Sequence, residues 1–181
     1  MLDHTSFWCE GRSPWARALL WVWLAWLGIR YVADPEAATL FDGLNLGIHE
    51  AGHLVFAWAG AFVCAAGGTL LQLAAPLAAA WMFLRQPDFF AVTVAGAWLA
   101  TNLFGVATYV GDARARSLPL VTVGGGEASH DWHYLLGELG CLEQDALFAS
   151  LLRAAAFACY FGSLVAGAWL LAKMLRASRT A

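Results

Sequence analysis

His49-Glu50-Ala51-Gly52-His53 reads H-E-x-x-H and lies within an apolar stretch. On a helix, residues four apart share a face, so both imidazoles can reach one Zn²⁺. The intervening Glu50 is then placed as general base toward a metal-activated water. A shuffled chain of this composition would show the pattern about 0.005 times. Two histidines and a glutamate in an apolar span are also costly unless they are paired or bind metal.

A catalytic zinc takes three protein ligands and keeps one position open. His49 and His53 leave it one ligand short. The remaining candidates are His130, Asp131, His133 and Asp112. Of the five histidines in the chain, two are in the motif and two lie in His130-Asp131-Trp132-His133. That concentration favours His130 or Asp131 as the third ligand. His133, one turn further along a helix, suits a supporting or proton-shuttling place. Asp112 is the rival. The bland reading has Asp131 capping a short helix with both histidines in solvent.

Five apolar stretches must position these groups, at about Pro14–Val32, Thr39–Gly60, Phe62–Leu84, Phe89–Val110 and Ala146–Leu175. The second carries the motif. The third contains Gly67-Gly68, Gln72 and Pro76, which suggests a kinked or partly re-entrant helix. The run 117–123 reads as extended, Gly124-Gly125-Gly126 as a flexible turn, and residues from about 130 to 139 as a short amphipathic helix.

Polar residues form stripes on two of the predicted helices. Asp42, Asn45, His49 and His53 fall within about 80° of one another at about 100° per residue. Asn45 and Asp42 read either as helix-end hydrogen bonds or as support for the site. Gly43, Gly47 and Ala51 on the other side suit close helix approach. Trp98, Asn102, Gly105, Tyr109 and Asp112 form a second stripe. Asn102 reads as a substrate contact or a bridge between helices, and Gln72 is open to the same two readings.

The composition fits a membrane setting: 61% of the 181 residues are apolar, 13% are charged, and there are ten Trp and eleven Phe. A soluble domain is nearer half apolar and a quarter charged. The expected fold class is all-α, a polytopic membrane helical bundle of about five transmembrane helices, with residues 1–181 as one domain. The first helix reads as a retained anchor, because the N-terminus lacks the basic start of a signal peptide. The net charge of −3 is small and the basic residues read as membrane flanks, so no basic patch suggests nucleic acid as a partner. Cys9, Cys64, Cys141 and Cys159 form no C-x-x-C pair, and Cys64 and Cys159 read as packing residues. The basic flanks of both termini ask for the same side of the membrane, which five spans cannot satisfy without an extra or re-entrant segment.

H-E-A-G-H within a membrane span of a small multi-span protein resembles the site-2 protease group of intramembrane zinc metalloproteases. The resemblance rests on His49, Glu50 and His53, and more loosely on Asn102 and the later Val110-Gly111-Asp112-Ala113. It implies a zinc cofactor, a lipid bilayer and a membrane-associated peptide as partners, and peptide hydrolysis within or beside the bilayer with Glu50 activating zinc-bound water; the expected location is the cell (inner) membrane. The same metal chemistry would serve a hydrolase of a lipid amide or ester. A non-catalytic membrane metal-binding or partner subunit is the alternative of a different class.

Overall fold

The computed structural model describes residues 2–119 and 130–180. They are all-helical, without a strand among the described residues. The seven α-helices are α1 (Leu2–Cys9), α2 (Trp15–Ala33), α3 (Phe41–Phe56), α4 (Ala61–Arg85), α5 (Phe89–Gly111), α6 (Asp131–Glu138) and α7 (Asp145–Thr180). The five apolar stretches became α2, α3, α4, α5 and α7. The short α1 had no clear sequence signal. The expected Gly124-Gly125-Gly126 turn, and the extended run beyond Pro119, lie outside the described residues.

Four helical segments, Trp15–Ala33, Ala61–Arg85, Phe89–Gly111 and Leu142–Ser178, are long and apolar enough to cross a membrane. Large apolar side chains such as Leu19, Ile29, Trp81 and Val165 are exposed, as suits a surface covered by lipid rather than water. The motif helix α3 is not among the four. Its 16 residues span about 24 Å, short of the roughly 30 Å hydrocarbon core. A single 3-10 turn, Ala57–Ala59, follows it, and Gly60 at φ 89° turns the chain into α4. Only glycine takes that backbone region without steric cost. Pro76 lies inside α4, which continues through it as one helix. It lacks the N–H that would bond the Gln72 carbonyl.

The chain forms two compact units. One comprises Met1–Ala37, Pro76–Ala100 and Phe157–Ala181. In it Tyr160, almost fully buried, donates its hydroxyl proton to the Leu24 carbonyl at 2.8 Å. A Cβ at Gly28 would come within 2.8 Å of the Tyr160 ring, so α2 and α7 pack through that glycine. A second cluster joins Trp8 and Cys9 to Phe90, Leu170, Leu171 and Met174.

The other unit comprises Ala38–Ala75 and Thr101–Ala156, and it holds every candidate ligand. Here α3 and α4 touch backbone to backbone, since a Cβ at Gly52 would collide with the Gly67 carbonyl oxygen. The expected approach through Gly43 and Gly47 is not where α4 sits: a Cβ at either would meet nothing within 4 Å. The close contact runs through Gly52, on the face that also turns the histidines toward α4. Val106, Val110 and Ala113 form the apolar seat on which Leu136 of α6 packs. Burying a leucine such as Leu136 contributes about 1.5–3 kcal/mol, which offsets part of the cost of ordering so short a helix.

Candidate metal centre

His49, His53 and Asp131 come together, with one donor atom from each within 4.8 Å of the others. Asp131 Oδ2 lies 3.1 Å from His49 Nε2 and 3.2 Å from His53 Nε2. Donors about 2.0 Å from a zinc at tetrahedral angles are about 3.3 Å apart, so these spacings match edges of such a tetrahedron. His49 and Asp131 are buried, and His53 is partly so.

The far side of each imidazole is fixed. His49 Nδ1 lies 3.0 Å from Gln72 Oε1, and His53 Nδ1 lies 2.9 Å from the Cys64 carbonyl oxygen. Both oxygens accept, so each Nδ1 donates and each Nε2 presents a lone pair to Asp131. Three acceptor atoms therefore converge, an arrangement that calls for a cation or added protons between them. Room is provided by Gly68 on α4. A Cβ there would lie 2.6 Å from His49 Nε2 and 2.7 Å from His53 Nε2, filling the space at the nitrogen tips. The donor set and this cradle both fit a divalent ion, and the group can hold one.

Asp131 reaches the motif because several contacts hold α6 there. The Tyr109 hydroxyl, in the last turns of α5, donates to Asp131 Oδ2 at 3.2 Å and accepts from the Asp131 backbone N–H at 3.0 Å. Trp132 Nε1 donates to Thr69 Oγ1 on α4 at 3.2 Å. His130 caps α6, its Nδ1 accepting from the His133 N–H at 3.2 Å.

The other sequence candidates lie elsewhere. His130 is buried but outside the group of three; its Nε2 is 3.3 Å from Asp112 Oδ2, without in-line hydrogen-bond geometry. Burial lowers the His130 pKa against the pull of Asp112, and because Nδ1 accepts from the His133 N–H, the neutral ring carries its proton on Nε2. Asp112 does not approach His49 or His53 as a ligand. It accepts from the Ser117 hydroxyl at 2.6 Å, the Ser117 N–H at 2.9 Å and the Leu118 N–H at 3.0 Å. Burial acts to raise its carboxyl, but these bonds and His130 hold it down to about 2. His133 turns away, its Nδ1 2.8 Å from the Ala113 carbonyl. Asn45 donates to Thr101 Oγ1 at 3.4 Å, and Asn102 is completely buried. Asp42 binds Thr39 at the exposed start of α3 and serves the helix end. Glu50 is half-buried, and no hydrogen bond or ion pair occupies its carboxylate among the described residues.

Tyr109 stands on the α5 stripe, but its type and spacing alone assign it no role. Gly67-Gly68 reads in the sequence only as a kink signal, and the Cys64 carbonyl not at all. The signal for Gly68 was present: two adjacent glycines inside a helix cost about 2 kcal/mol against alanine, and so require a packing or ligand reason. No signal marks a backbone carbonyl. No protein family matches the chain, and no curated protein or solved structure is significantly similar to it.

Proposed function

We propose that this chain is a multi-pass intramembrane zinc metallopeptidase of the cell membrane, hydrolysing membrane-associated peptide bonds. The observation that carries the reading is Asp131 Oδ2, brought from 78 or more positions away to 3.1 and 3.2 Å from the two motif nitrogens. Two imidazoles and one carboxylate leave a fourth position of a tetrahedral zinc for water, whereas purely structural zinc sites are closed by four protein ligands. The resemblance of His49, Glu50 and His53 to the site-2 protease motif supports a peptide as substrate.

Zinc bound there would supply Lewis acidity to the attacking water and to the scissile carbonyl. The protein's own groups do the rest. Gln72 and the Cys64 carbonyl hold the imidazoles in the tautomer that offers Nε2. Tyr109 holds Asp131. Glu50, one residue from His49 and with an uncommitted carboxylate, takes the proton of the attacking water and returns it to the leaving amine.

The test is Glu50→Gln, which keeps shape and removes the base. Wild type and variant are expressed in the same host, and new protein N-termini in the membrane fraction are profiled. Cleavages present with wild type should fall by roughly 10²-fold or more in the variant while bound zinc stays constant. Identical N-termini in both membranes would refute a peptidase, and a difference confined to the lipid profile would make the substrate a lipid amide or ester.

A further inference from the structure

The unit that lacks the candidate ligands carries a basic and aromatic collar at one end. The buried cluster of Trp8, Phe90, Leu170 and Met174 places α1, the start of α5 and the end of α7 together there. Ala18 and Trp21, early in α2, pack against the same cluster. Lys173 Nζ donates to Ser6 Oγ at 2.8 Å, which ties the end of α7 to α1. Arg85 ends α4 with only three residues between it and the start of α5, so it belongs to the same end.

The basic side chains of this end lie over indole rings. Arg12 and Arg17 sit 4.4 and 5.8 Å from the Trp8 ring, Arg85 5.3 Å from Trp81, and Lys173 4.2 Å from Trp169. Trp81 and Trp169 are exposed, and so is Trp15 beside Arg17. At the far end of α2, Arg30 over Trp26 is followed by two acids, Asp34 and Glu36; the collar also has acids, Glu10 near Arg12 and Asp88 after Arg85, but there the cations Arg12, Arg17, Arg85 and Lys173 outnumber them. An exposed indole with a cation one turn further on is the chemistry of the membrane–water boundary. The ring sits at the headgroup level and the cation reaches the phosphates. Clustered cations next to spanning helices are attracted to the anionic surface of the cytoplasmic leaflet.

We infer that this collar lies in the cytoplasmic leaflet and binds anionic phospholipid headgroups, with Arg12, Arg17, Arg85 and Lys173 as phosphate contacts. The partner is anionic lipid rather than an acidic protein, because the cations are interleaved with exposed Trp15, Trp81 and Trp169 at helix ends. The inference is independent of any chemistry at His49 and His53.

Two measurements test it on the full chain. The protein is reconstituted in vesicles of pure phosphatidylcholine and of an equimolar phosphatidylcholine–phosphatidylglycerol mixture, and its thermal midpoint is read. The midpoint should be higher with phosphatidylglycerol. The difference should shrink on Arg12→Gln, Arg17→Gln or Arg85→Gln and persist in Arg30→Gln. An equal midpoint in both vesicles, or a difference insensitive to the collar variants, overturns the lipid contact. Orientation is read by labelling intact cells with a membrane-impermeant maleimide, with the unsubstituted chain as background. Gln86→Cys should label only after permeabilisation, and Glu36→Cys before it. Labelling of Gln86→Cys in intact cells overturns the cytoplasmic placement.

Discussion

His53 donates its Nδ1 proton to the Cys64 carbonyl oxygen at 2.9 Å, and that bond decides what the other ring nitrogen can do. A carbonyl cannot donate, so Nε2 keeps its lone pair and aims it at Asp131 Oδ2, itself an acceptor, 3.2 Å away. His49 repeats the arrangement through Gln72. A convergence of this kind is stable around a cation.

The first prediction is that the purified protein binds about one zinc per chain. Asp131→Ala should remove most of it, as should His49→Ala or His53→Ala. His130→Ala and Asp112→Asn should retain it, because those side chains lie beside each other outside the group of three. Elemental analysis of the five variants decides. Zinc lost with His130→Ala but kept with Asp131→Ala would reverse the assignment.

Gly68→Ala offers a test that leaves every donor in place. The new methyl would stand 2.6 Å and 2.7 Å from the two Nε2 atoms. Alanine is the better helix former by about 1 kcal/mol, so propensity favours the variant. Zinc affinity should nevertheless fall by more than tenfold, with the helical circular dichroism unchanged. Full metal content in Gly68→Ala would mean that the space at the nitrogen tips is not where the ion sits.

Acid stability should carry the signature of Asp112. Its carboxyl is held down from an ordinary 3.8 to about 2 in the folded chain. A depressed carboxylate stabilises the fold above the unfolded value, and that contribution is lost as pH falls through the folded one. Wild type should therefore lose this part of its stability as pH drops from about 4 toward 2. Asp112→Asn should be less stable at neutral pH and show a flatter acid limb. Thermal midpoints of both proteins from pH 7 downward check it; parallel curves would contradict it.

How far the sequence could be read depended on range. The helices α2, α4, α5 and α7 follow from long apolar runs ended by Asp34-Pro35, by Arg85-Gln86-Pro87-Asp88 and by the basic C-terminus. Their existence is a local property. His49 and His53 were legible for the same reason, since four residues on a helix fix their relation. Asp131 could be narrowed to a cluster with His130 but not chosen, because adjacent residues at a helix start point in different directions. His130 became the cap and Asp131 the first helical residue. The short extent of α3 escaped the reading because Ala57–Ala59 are as apolar as the helix, and only Gly60 betrays the turn.

The last prediction concerns Tyr109, whose hydroxyl touches Asp131 twice. It accepts from the backbone N–H at 3.0 Å and donates to Oδ2 at 3.2 Å. Both bonds act on the same residue, so they fix the carboxylate relative to the start of α6. The phenol ring also stands edge-on to His49, with centroids 5.8 Å apart, and it lies 4.4 Å from the His130 ring. Tyr109→Phe keeps those ring contacts and the helix and removes only the hydroxyl. Groups that orient a metal ligand typically contribute 10–100-fold to affinity, and Tyr109→Phe should weaken zinc binding by about that factor. A purely packing role would leave affinity unchanged, because the ring remains. Competition with a chromophoric chelator measures the constant, and substitution by cobalt reports the geometry through its d–d bands. Tyr109→Phe should bind cobalt with an altered spectrum, and Tyr109→Leu, which also loses the ring, should bind no tighter. Wild-type affinity and an unchanged cobalt spectrum in Tyr109→Phe would show that Asp131 holds its place without the hydroxyl.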